Sequence, residues 1–233
     1  MLGLVEGLAT NWRHHLRQLL APHACTLDMY LEAERQMCEG IACILPRRQE
    51  LVFNAFAHSE LDDTCVVILG EPYAVQGWAH GLAYSVPAAA AASASSDSQP
   101  AALHAILSEL AAEYGTLRTS TDLTDWARQG VLLLNTSLTS RESCCSQASH
   151  HAAWEPFVDN VLRYISGCVP SVVFMLWGKA ARAKAHLIDG DGGQHLVLQA
   201  PHPVRAHEFA GCNHFAMANN WLVSRARRPV RWV

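Results

Sequence analysis

Apolar residues recur along this chain in two patterns, one nearly continuous and one spaced like the face of a helix. Four short continuous runs end at a glycine, an asparagine or a proline-containing turn, and they predict buried strands at residues 64–69, 131–134, 171–177 and 195–199. Helical spacing predicts helices at residues 8–20, 27–38, 103–114, 154–166, 179–186 and 212–224. Apolar strands that alternate with helices are typical of a parallel sheet covered on both faces. We therefore predict an α/β fold in a single domain over residues 1–233, with a central four-stranded parallel sheet flanked by helices on both faces.

One segment departs from both patterns. Residues 87–100 consist almost wholly of alanine and serine between two prolines, Pro87 and Pro100. Such small side chains have little surface to bury, so the composition predicts a flexible loop. Five consecutive alanines also favour helix, which stays open as the alternative for part of the segment.

The composition restricts the class of protein. Of the 233 residues, 50% are hydrophobic and 16% are charged, which excludes a mostly disordered chain. No apolar run approaches the roughly 20 residues that a membrane-spanning helix requires, and the N-terminal residues contain no hydrophobic segment typical of a signal peptide. We expect an intracellular protein without a membrane partner.

The charges are unevenly distributed. Residues 1–162 contain 8 arginines or lysines against 18 acidic residues, whereas residues 163–233 contain 9 against 3. A basic C-terminal third on a protein with a net charge of −4 indicates a face that meets an anion. The alternative is an arginine-rich tail that is only solvated.

The eight cysteines do not indicate a metal site. They show no C-x-x-C spacing, and in a domain of this size we expect reduced thiols. Two groups remain formal alternatives for zinc, although neither has the spacing of a known zinc module: Cys144, Cys145, His150 and His151, and Cys212 with His214. The prediction is that the protein holds no metal.

Polar residues follow the predicted strands at the point where each strand ends. They are Glu71 and Tyr73 after the first strand, Asn135 after the second, Lys179 after the third and His202 after the fourth. In parallel sheets, ligands bind beyond the carboxyl ends of the strands. An acid, an amide and an imidazole are therefore expected to meet at one edge of the sheet.

Four stretches at and around these residues resemble a known family. They are residues 125–139 (DWARQGVLLLNTSLT), 173–178 (VFMLWG), 79–86 (AHGLAYSV) and 211–215 (GCNHF). In this order they resemble a family 1 uracil-DNA glycosylase, and the similarity extends from about Trp12 to Trp232. The resemblance implies the fold of that family.

Two catalytic loops differ from the pattern of the family. The water-activating loop G-Q-D-P-Y-H reads Gly70-Glu-Pro-Tyr-Ala74 here, so Glu71 stands where the catalytic aspartate belongs and the chain is one residue shorter before Ala79. The second loop of the family, H-P-S-P-L-S, begins here with His202. The segment that follows it, residues 203–210, is three residues shorter in this chain than in the family. The leucine that such enzymes insert into DNA has no clear equivalent.

By resemblance, eleven residues form the site. Glu71 and His202 would be catalytic, the first as the carboxylate beside the sugar and the second as the donor to uracil O2. The uracil-binding residues would be Tyr73, Tyr84, Asn135 and His80. The DNA-binding residues would be Val204 and Arg205 in the shortened loop, Pro100 and Ala102 at the reduced Pro-Pro-Ser loop, and Ser171. Each has a plainer alternative, such as a core aromatic for the tyrosines or a turn residue for Asn135.

The resemblance implies a monofunctional uracil-DNA N-glycosylase. Such a hydrolase flips uracil out of DNA and cleaves its N-glycosidic bond to start base excision repair, with no metal or other cofactor. The changed loops predict reduced activity and a preference for single-stranded over duplex DNA. The resemblance also implies a monomer, with a proteinaceous inhibitor or a replication protein as a further partner. The compartment would be the cytoplasm in a bacterium and the nucleus or mitochondrion in a eukaryote.

The same resemblance leaves a second function open. Poxvirus relatives serve as processivity factors in replication, and this chain shares with them a short, arginine-bearing loop after His202. The alternative is therefore a non-catalytic DNA-binding or replication-processivity module on the same fold.

Overall fold

A computed structural model describes residues 1–37, 43–93, 100–142, 150–188 and 193–233. The strands are β1 (Ile44–Leu45), β2 (Val66–Gly70), β3 (Val131–Asn135), β4 (Ser140–Arg141), β5 (Val173–Trp177) and β6 (Leu196–Ala200). The helices are α1 (Leu2–Val5), α2 (Trp12–Leu20), α3 (Ala24–Met37), α4 (Ala88–Ser93), α5 (Ala101–Tyr114), α6 (Thr124–Ala127), α7 (His151–Cys168), α8 (Lys179–Arg182), α9 (Ala206–Phe209) and α10 (His214–Ser224).

The core of the fold is a four-stranded parallel sheet in the order β3-β2-β5-β6. Every residue of β2, β3 and β5 is buried. Successive side chains of a strand point to opposite faces, so burial at every position requires cover on both faces. The predicted fold class is therefore confirmed, and the predicted strands coincide with the observed ones to within two residues.

Several short elements were not predicted. Helices α1, α6 and α9 have 4 residues each, which is too short for a helical period to be visible in the sequence. Strands β1 and β4 form a small antiparallel pair, with Ile44 opposite Arg141. A two-residue pairing depends on contacts between segments far apart in the chain, which no local pattern reports.

The alanine-rich segment is helical where it is described. Residues Ala88–Ser93 form α4, so the loop prediction is wrong for this part and its helical alternative holds. Alanine has the highest intrinsic helix propensity, which explains the outcome. Residues 94–99 lie outside the described residues.

The cysteine prediction holds in part. Cys25, Cys65, Cys168 and Cys212 are free, whereas Cys43 takes part in a disulfide, so the expectation of reduced thiols throughout is wrong there. Sequence spacing does not report which thiols the fold brings together. In the described part of the chain, no helix is both long and apolar enough to cross a membrane.

The basic C-terminal segment is packed onto the sheet. The Arg227 guanidinium donates hydrogen bonds to the backbone carbonyls of Thr64 (2.9 Å), Pro170 (3.0 Å) and Ser171 (3.1 Å). Trp232 is buried, and its carbonyl accepts a hydrogen bond from Trp126 Nε1 at 3.0 Å. The alternative of a solvated arginine-rich tail is therefore wrong for Arg227, whereas Arg228 and Arg231 are exposed.

Candidate active site

The carboxyl ends of the four parallel strands form one edge of the sheet, which we call the rim. Along it lie Asn135 at the end of β3, Glu71 after β2, Gly178 after β5 and His202 two residues after β6. Neighbouring strands are about 4.8 Å apart, so the outer strands that carry Asn135 and lead to His202 are about 14 Å apart. The predicted meeting of acid, amide and imidazole at one edge therefore agrees with the strand topology.

Tyr84 occupies the centre of the rim. Its ring packs against those of Trp177 and His202, with centroid distances of 5.5 Å and 6.0 Å. A Cβ atom on Gly70 would lie 2.8 Å from Cε2 of Tyr84, so only glycine at the end of β2 allows the ring this close. The Tyr84 hydroxyl donates to the carbonyl of Leu69 at 3.2 Å, and complete burial holds its pKa far above the usual value. Tyr84 is thus a fixed, neutral aromatic platform.

Tyr73 is fixed against this platform. Its hydroxyl donates to the backbone carbonyl of Tyr84 at 3.0 Å, and its own carbonyl accepts a hydrogen bond from Ser140 Oγ at 3.1 Å. Its ring meets Trp78 edge to face, with centroids 5.7 Å apart. Burial raises the pKa of Tyr73 well above its usual value, so the ring is neutral.

Asn135 presents an unsatisfied acceptor at the other end of the rim. The residue is buried, and among the described residues its Oδ1 atom has no hydrogen-bond partner. A buried acceptor without a partner costs about 1–3 kcal/mol, which a ligand donor would recover. Asn135 is the register partner of Gly70, the residue on which the Tyr84 ring packs, so the amide lies beside the aromatic platform.

His202 is held in a defined protonation state. The Val204 amide donates to His202 Nδ1 at 3.2 Å, so in the neutral ring the proton is on Nε2. Burial holds the pKa of His202 below its usual value, and the nearby Glu71 carboxylate offsets part of this effect. The ring also lies against Gly178, where an added Cβ would come within 3.0 Å of the imidazole. His202 is therefore a neutral donor through Nε2 at neutral pH.

A cleft of about 920 Å³ opens beside the rim, and we call it the rim cleft. Four of the eleven residues named from the sequence line it: Glu71, His202, Val204 and Arg205. Tyr73, Tyr84 and Asn135 do not line this cleft, but they belong to the rim at its border. Because an acid, a neutral imidazole donor and cations share it, the cleft can hold an anionic ligand next to a carboxylate.

Two cations of the rim cleft were missed by sequence reasoning. Lys179 and Arg182 belong to α8, which begins directly after β5, and both side chains are exposed. Neither forms an ion pair with the residues that the structure describes, whereas Arg205 lies 3.3 Å from Glu208. The signal was available, since Lys179 follows a strand end, but its charge was not assigned a role.

Four other predicted residues do not join the rim cleft. Ser171 precedes β5 and therefore lies at the amino edge of the sheet, where its carbonyl accepts from Arg227. Ser171 is therefore not part of the rim, because residues on either side of a strand lie at opposite edges, and its role in binding DNA stays a prediction. Pro100 and Ala102 lie at the start of α5, which packs against α9 near the rim.

His80 also lies outside the rim cleft. Its carbonyl accepts from Asn54 Nδ2 at 2.7 Å, and its imidazole is hydrogen-bonded to the backbone of Ser85. Burial lowers its pKa. These contacts are structural, and a role for His80 towards a bound base stays a prediction.

Helix α10 supports the rim from below. The Glu109 carboxylate accepts the amides of Gly211 (2.7 Å) and Asn213 (2.9 Å), which anchors the turn before α10. At the start of α10, His214 Nδ1 accepts from Trp177 Nε1 at 2.9 Å. Burial lowers the pKa of His214 to about 4, so the imidazole is neutral at pH 7 and its Nδ1 atom remains a hydrogen-bond acceptor. The Tyr84 platform therefore rests on Trp177, which His214 orients.

The formal zinc alternatives gain no support from these contacts. The Nδ1 atom of His214 is used by Trp177, and Cys144 and Cys145 lie outside the described residues. Within the described ranges, one group of three possible ligand residues exists, namely Glu109, Glu113 and Cys212. Both of its carboxylates already accept backbone amides around the start of α10.

Comparisons with known proteins bear on this arrangement. A family model described as the uracil DNA glycosylase superfamily matches residues 57–223. A uracil-DNA glycosylase of Klebsiella pneumoniae subsp. pneumoniae is 45% identical over 208 residues, which cover 86% of this chain and 84% of that protein. A uracil-DNA glycosylase of Escherichia fergusonii is 44% identical over 209 residues, with coverage of 86% and 84%. In a solved structure, a variant of the mimivirus UNG in complex with UGI has the same fold, with a TM-score of 0.84 at 21% identity over 100% of this chain and 90% of that one.

Proposed function

The chain belongs to the uracil-DNA glycosylase family and excises uracil from DNA, and from this premise we propose how its own residues carry out the reaction. It is a hydrolase of DNA repair. The bond that breaks joins N1 of uracil to C1′ of deoxyribose. Water supplies the hydroxyl group that C1′ gains, and its remaining proton compensates the charge of the departing base.

We assign recognition of the uracil base to the residues around Tyr84. A uracil that has left the base stack would lie on the Tyr84 ring, since the reactive atoms are out of reach within a duplex. The Oδ1 atom of Asn135, which has no hydrogen-bond partner among the described residues, would accept from uracil N3–H, and the amide nitrogen would donate to O4. Cytosine has the reversed pattern on this edge. Tyr73, fixed on the Tyr84 carbonyl, would fill the space that a thymine methyl group needs.

Two groups would stabilise the charges that develop as the bond breaks. The uracil gains negative charge, and the Nε2–H of neutral His202 would donate to its O2 atom. The sugar gains positive charge, which the Glu71 carboxylate would stabilise while it orients the attacking water. Preorganised groups of this kind account for a large part of many enzymatic rate enhancements.

Glu71 is one methylene longer than the aspartate of the family pattern. We propose that the loop compensates, because the chain between Gly70 and Ala79 is one residue shorter and can draw the backbone back by a similar distance. The support is that Glu71 lines the same cleft as His202 and contributes to the electrostatics of that imidazole.

The cations of the rim cleft would bind the phosphates that flank the flipped nucleotide. Lys179, Arg182 and Arg205 all line this cleft. Val204 is the exposed apolar residue nearest to where the family inserts a leucine, but its side chain is shorter. Because wedging into duplex DNA requires a long apolar side chain, we propose that single-stranded substrate is preferred.

Further partners extend this proposal. Pro100 and Ala102 would contact the strand at the start of α5. The protein would act inside the cell as a monomer, without a metal or other cofactor. The structural neighbour in complex with UGI supports a proteinaceous inhibitor as a kind of partner for this chain.

The assignment of roles rests on Asn135 Oδ1, which is buried beside the Tyr84 platform and has no hydrogen-bond partner in the part of the chain that the structure describes. It is tested by uracil release from a single-stranded oligonucleotide, with a chelator present. We expect about 10²-fold slower release for Asn135→Ala and about 10²–10³-fold slower release for His202→Ala. The exposed residues Asn220 and His14 supply matched controls, since Asn220→Ala and His14→Ala should leave the rate unchanged.

The opposite result would change the assignment. Wild-type rates in Asn135→Ala and His202→Ala would place the chemistry elsewhere. No release by the wild type, together with salt-sensitive binding to the same oligonucleotide, would favour the DNA-binding module.

The strand preference is tested separately. Uracil release is compared on one sequence as a single strand and as a duplex, at equal salt. We expect faster release from the single strand, because flipping there requires no unpairing and no wedge. Equal rates on the two substrates would contradict the preference and leave the assignment of the pocket intact.

A further inference from the structure

A second cleft lies at the amino edge of the sheet, away from the rim. It has a volume of about 730 Å³, and we call it the rear cleft. It is lined by Arg128, Arg227, Arg228 and Arg231, together with Asp63 and three uncharged residues. Its position is set by Cys65, which directly precedes β2. Five residues of strand separate the two edges, which is about 16 Å.

The four arginines of the rear cleft differ in their burial and in their hydrogen bonds. Arg227 is half-buried, and its guanidinium donates to the backbone carbonyls of Thr64, Pro170 and Ser171. It therefore fastens the C-terminal segment to the sheet. Arg128, Arg228 and Arg231 are exposed, and in the described ranges none of them forms an ion pair. Three uncompensated cations thus face one cleft.

Two acids near the rear cleft, Asp125 and Asp122, already accept hydrogen bonds from other residues. Both Asp125 carboxylate oxygens accept from Arg118, at 2.6 Å and 2.8 Å. One Asp122 oxygen accepts both the amide and the hydroxyl of Thr124. Among the lining residues, Asp63 is the carboxylate that remains, against four guanidinium groups.

The backbone that carries these cations is held in place. The Gln129 side chain donates to the carbonyl of Arg231 at 3.1 Å and accepts from its amide at 2.8 Å. The side chain also donates to the carbonyl of Asp125 at 3.0 Å. This double link joins the C-terminal segment to the turn that bears Arg128. Cations on a fixed backbone lose less conformational entropy on binding than cations on a free tail.

We propose that the rear cleft binds the phosphate backbone of a second segment of nucleic acid, in addition to the segment at the rim. Planar guanidinium groups match phosphate geometry, and clustered arginines without interleaved aromatic side chains favour the backbone over the bases. The two clefts lie at opposite edges of the sheet, so a strand of about four nucleotides at the rim, roughly 14 Å long, does not reach the rear cleft. The proposal rests on the protein acting on DNA, but it concerns binding and not excision.

The experiment measures binding to uracil-free single-stranded DNA of about 60 nucleotides as a function of salt. The test variant combines Arg128→Gln, Arg228→Gln and Arg231→Gln, and leaves Arg227 in place because its hydrogen bonds hold the fold. A control variant with the same loss of charge combines Arg13→Gln, Arg35→Gln and Arg163→Gln, three exposed arginines outside the two clefts. Equal melting temperatures confirm that both variants are folded.

Loss of three phosphate contacts on a single strand should reduce the slope of log affinity against log salt by about 2. We expect this reduction in the test variant and not in the control. Uracil release from a substrate of about four nucleotides should stay within about twofold of wild type in both, so failure of this proposal is distinguishable from failure of the catalytic one. An unchanged slope in the test variant, or an equal reduction in the control, would overturn it.

A competition arm separates nucleic acid from an acidic protein segment. Poly-glutamate of equal charge should displace the long DNA from the wild type far less effectively than an unlabelled oligonucleotide does. If poly-glutamate competes equally well, and the test variant loses this competition, the rear cleft is a site for acidic protein and the proposal is wrong.

Discussion

The residues around Tyr84 and those of the rim cleft lie side by side but are built in different ways. Tyr84, Asn135 and Trp177 are buried, and each is fixed by the sheet or by ring contacts with its neighbours. Glu71 and Arg205, in contrast, are exposed at the ends of loops. The buried residues lie in stretches that match the family pattern closely, whereas the differences from that pattern lie in the loops of the rim cleft. Base recognition therefore depends on the packed core, and the handling of sugar and phosphate depends on loops that can change length without unfolding the protein.

The largest effect on the rate of uracil release is expected at Glu71, so substitutions there are the most severe test of this comparison. Glu71→Gln removes the carboxylate and should slow uracil release by about 10²–10³-fold, since the other acid that lines the rim cleft, Glu208, is paired with Arg205. Glu71→Asp should also slow release, by about 10²-fold, because the shorter side chain is misplaced by roughly 1 Å in the shortened loop. The measurement is single-turnover release from a single-stranded oligonucleotide. An increase by orders of magnitude in Glu71→Asp would contradict compensation by the loop.

A smaller effect is expected at Gly178, where the strand end meets the imidazole. An added Cβ would come within 3.0 Å of His202, so Gly178→Ala should displace the ring and slow release by at least about 10-fold. Gly193→Ala is the matched control, since Gly193 also has a positive φ, of 66°, but an added Cβ there meets no atom within 4 Å. Equal activity in the two variants would show that His202 is not positioned by this contact.

The smallest effect on activity at pH 7 is expected at His214, which supports the buried group through Trp177. The folded-state pKa of His214 is about 4, below the unfolded value of about 6.5, so the unfolded chain binds more protons between these values. Its contribution to stability is complete above about pH 6.5 and is lost as the pH falls towards 4, by about 3 kcal/mol in total.

Unfolding free energies between pH 7 and pH 4.5 measure this contribution. His214→Gln should flatten the pH dependence relative to wild type, whereas His14→Gln, at an exposed position, should leave it unchanged. If the unfolding free energy of His214→Gln depends on pH as steeply as that of wild type, His214 is not the source of the acid sensitivity.

Prediction from the sequence succeeded for features that depend on one strand or on the residues at its end. The four buried strands were visible as apolar runs, and parallel topology then places Glu71, Asn135 and His202 at one edge. Ser171 lies at the opposite edge, as the strand direction implies, and its role in binding DNA stays a prediction. Arg227 was counted only as a charge, because its hydrogen bonds to residues more than 50 positions away leave no local pattern.

The order of residues along the chain was sufficient for the α/β fold class, the strand ends and the chemical types of the side chains that meet at the rim. These depend on local periodicity and on the rule that parallel strands end together. Only the tertiary structure decided which nitrogen of His202 carries the proton and that Lys179 and Arg182 share a cleft with Glu71. It also decided that Asn135 Oδ1 has no hydrogen-bond partner within the described ranges. Burial, hydrogen-bond partners and the compensation of charge are properties of the space around a side chain, and that space is formed by segments that are distant in sequence.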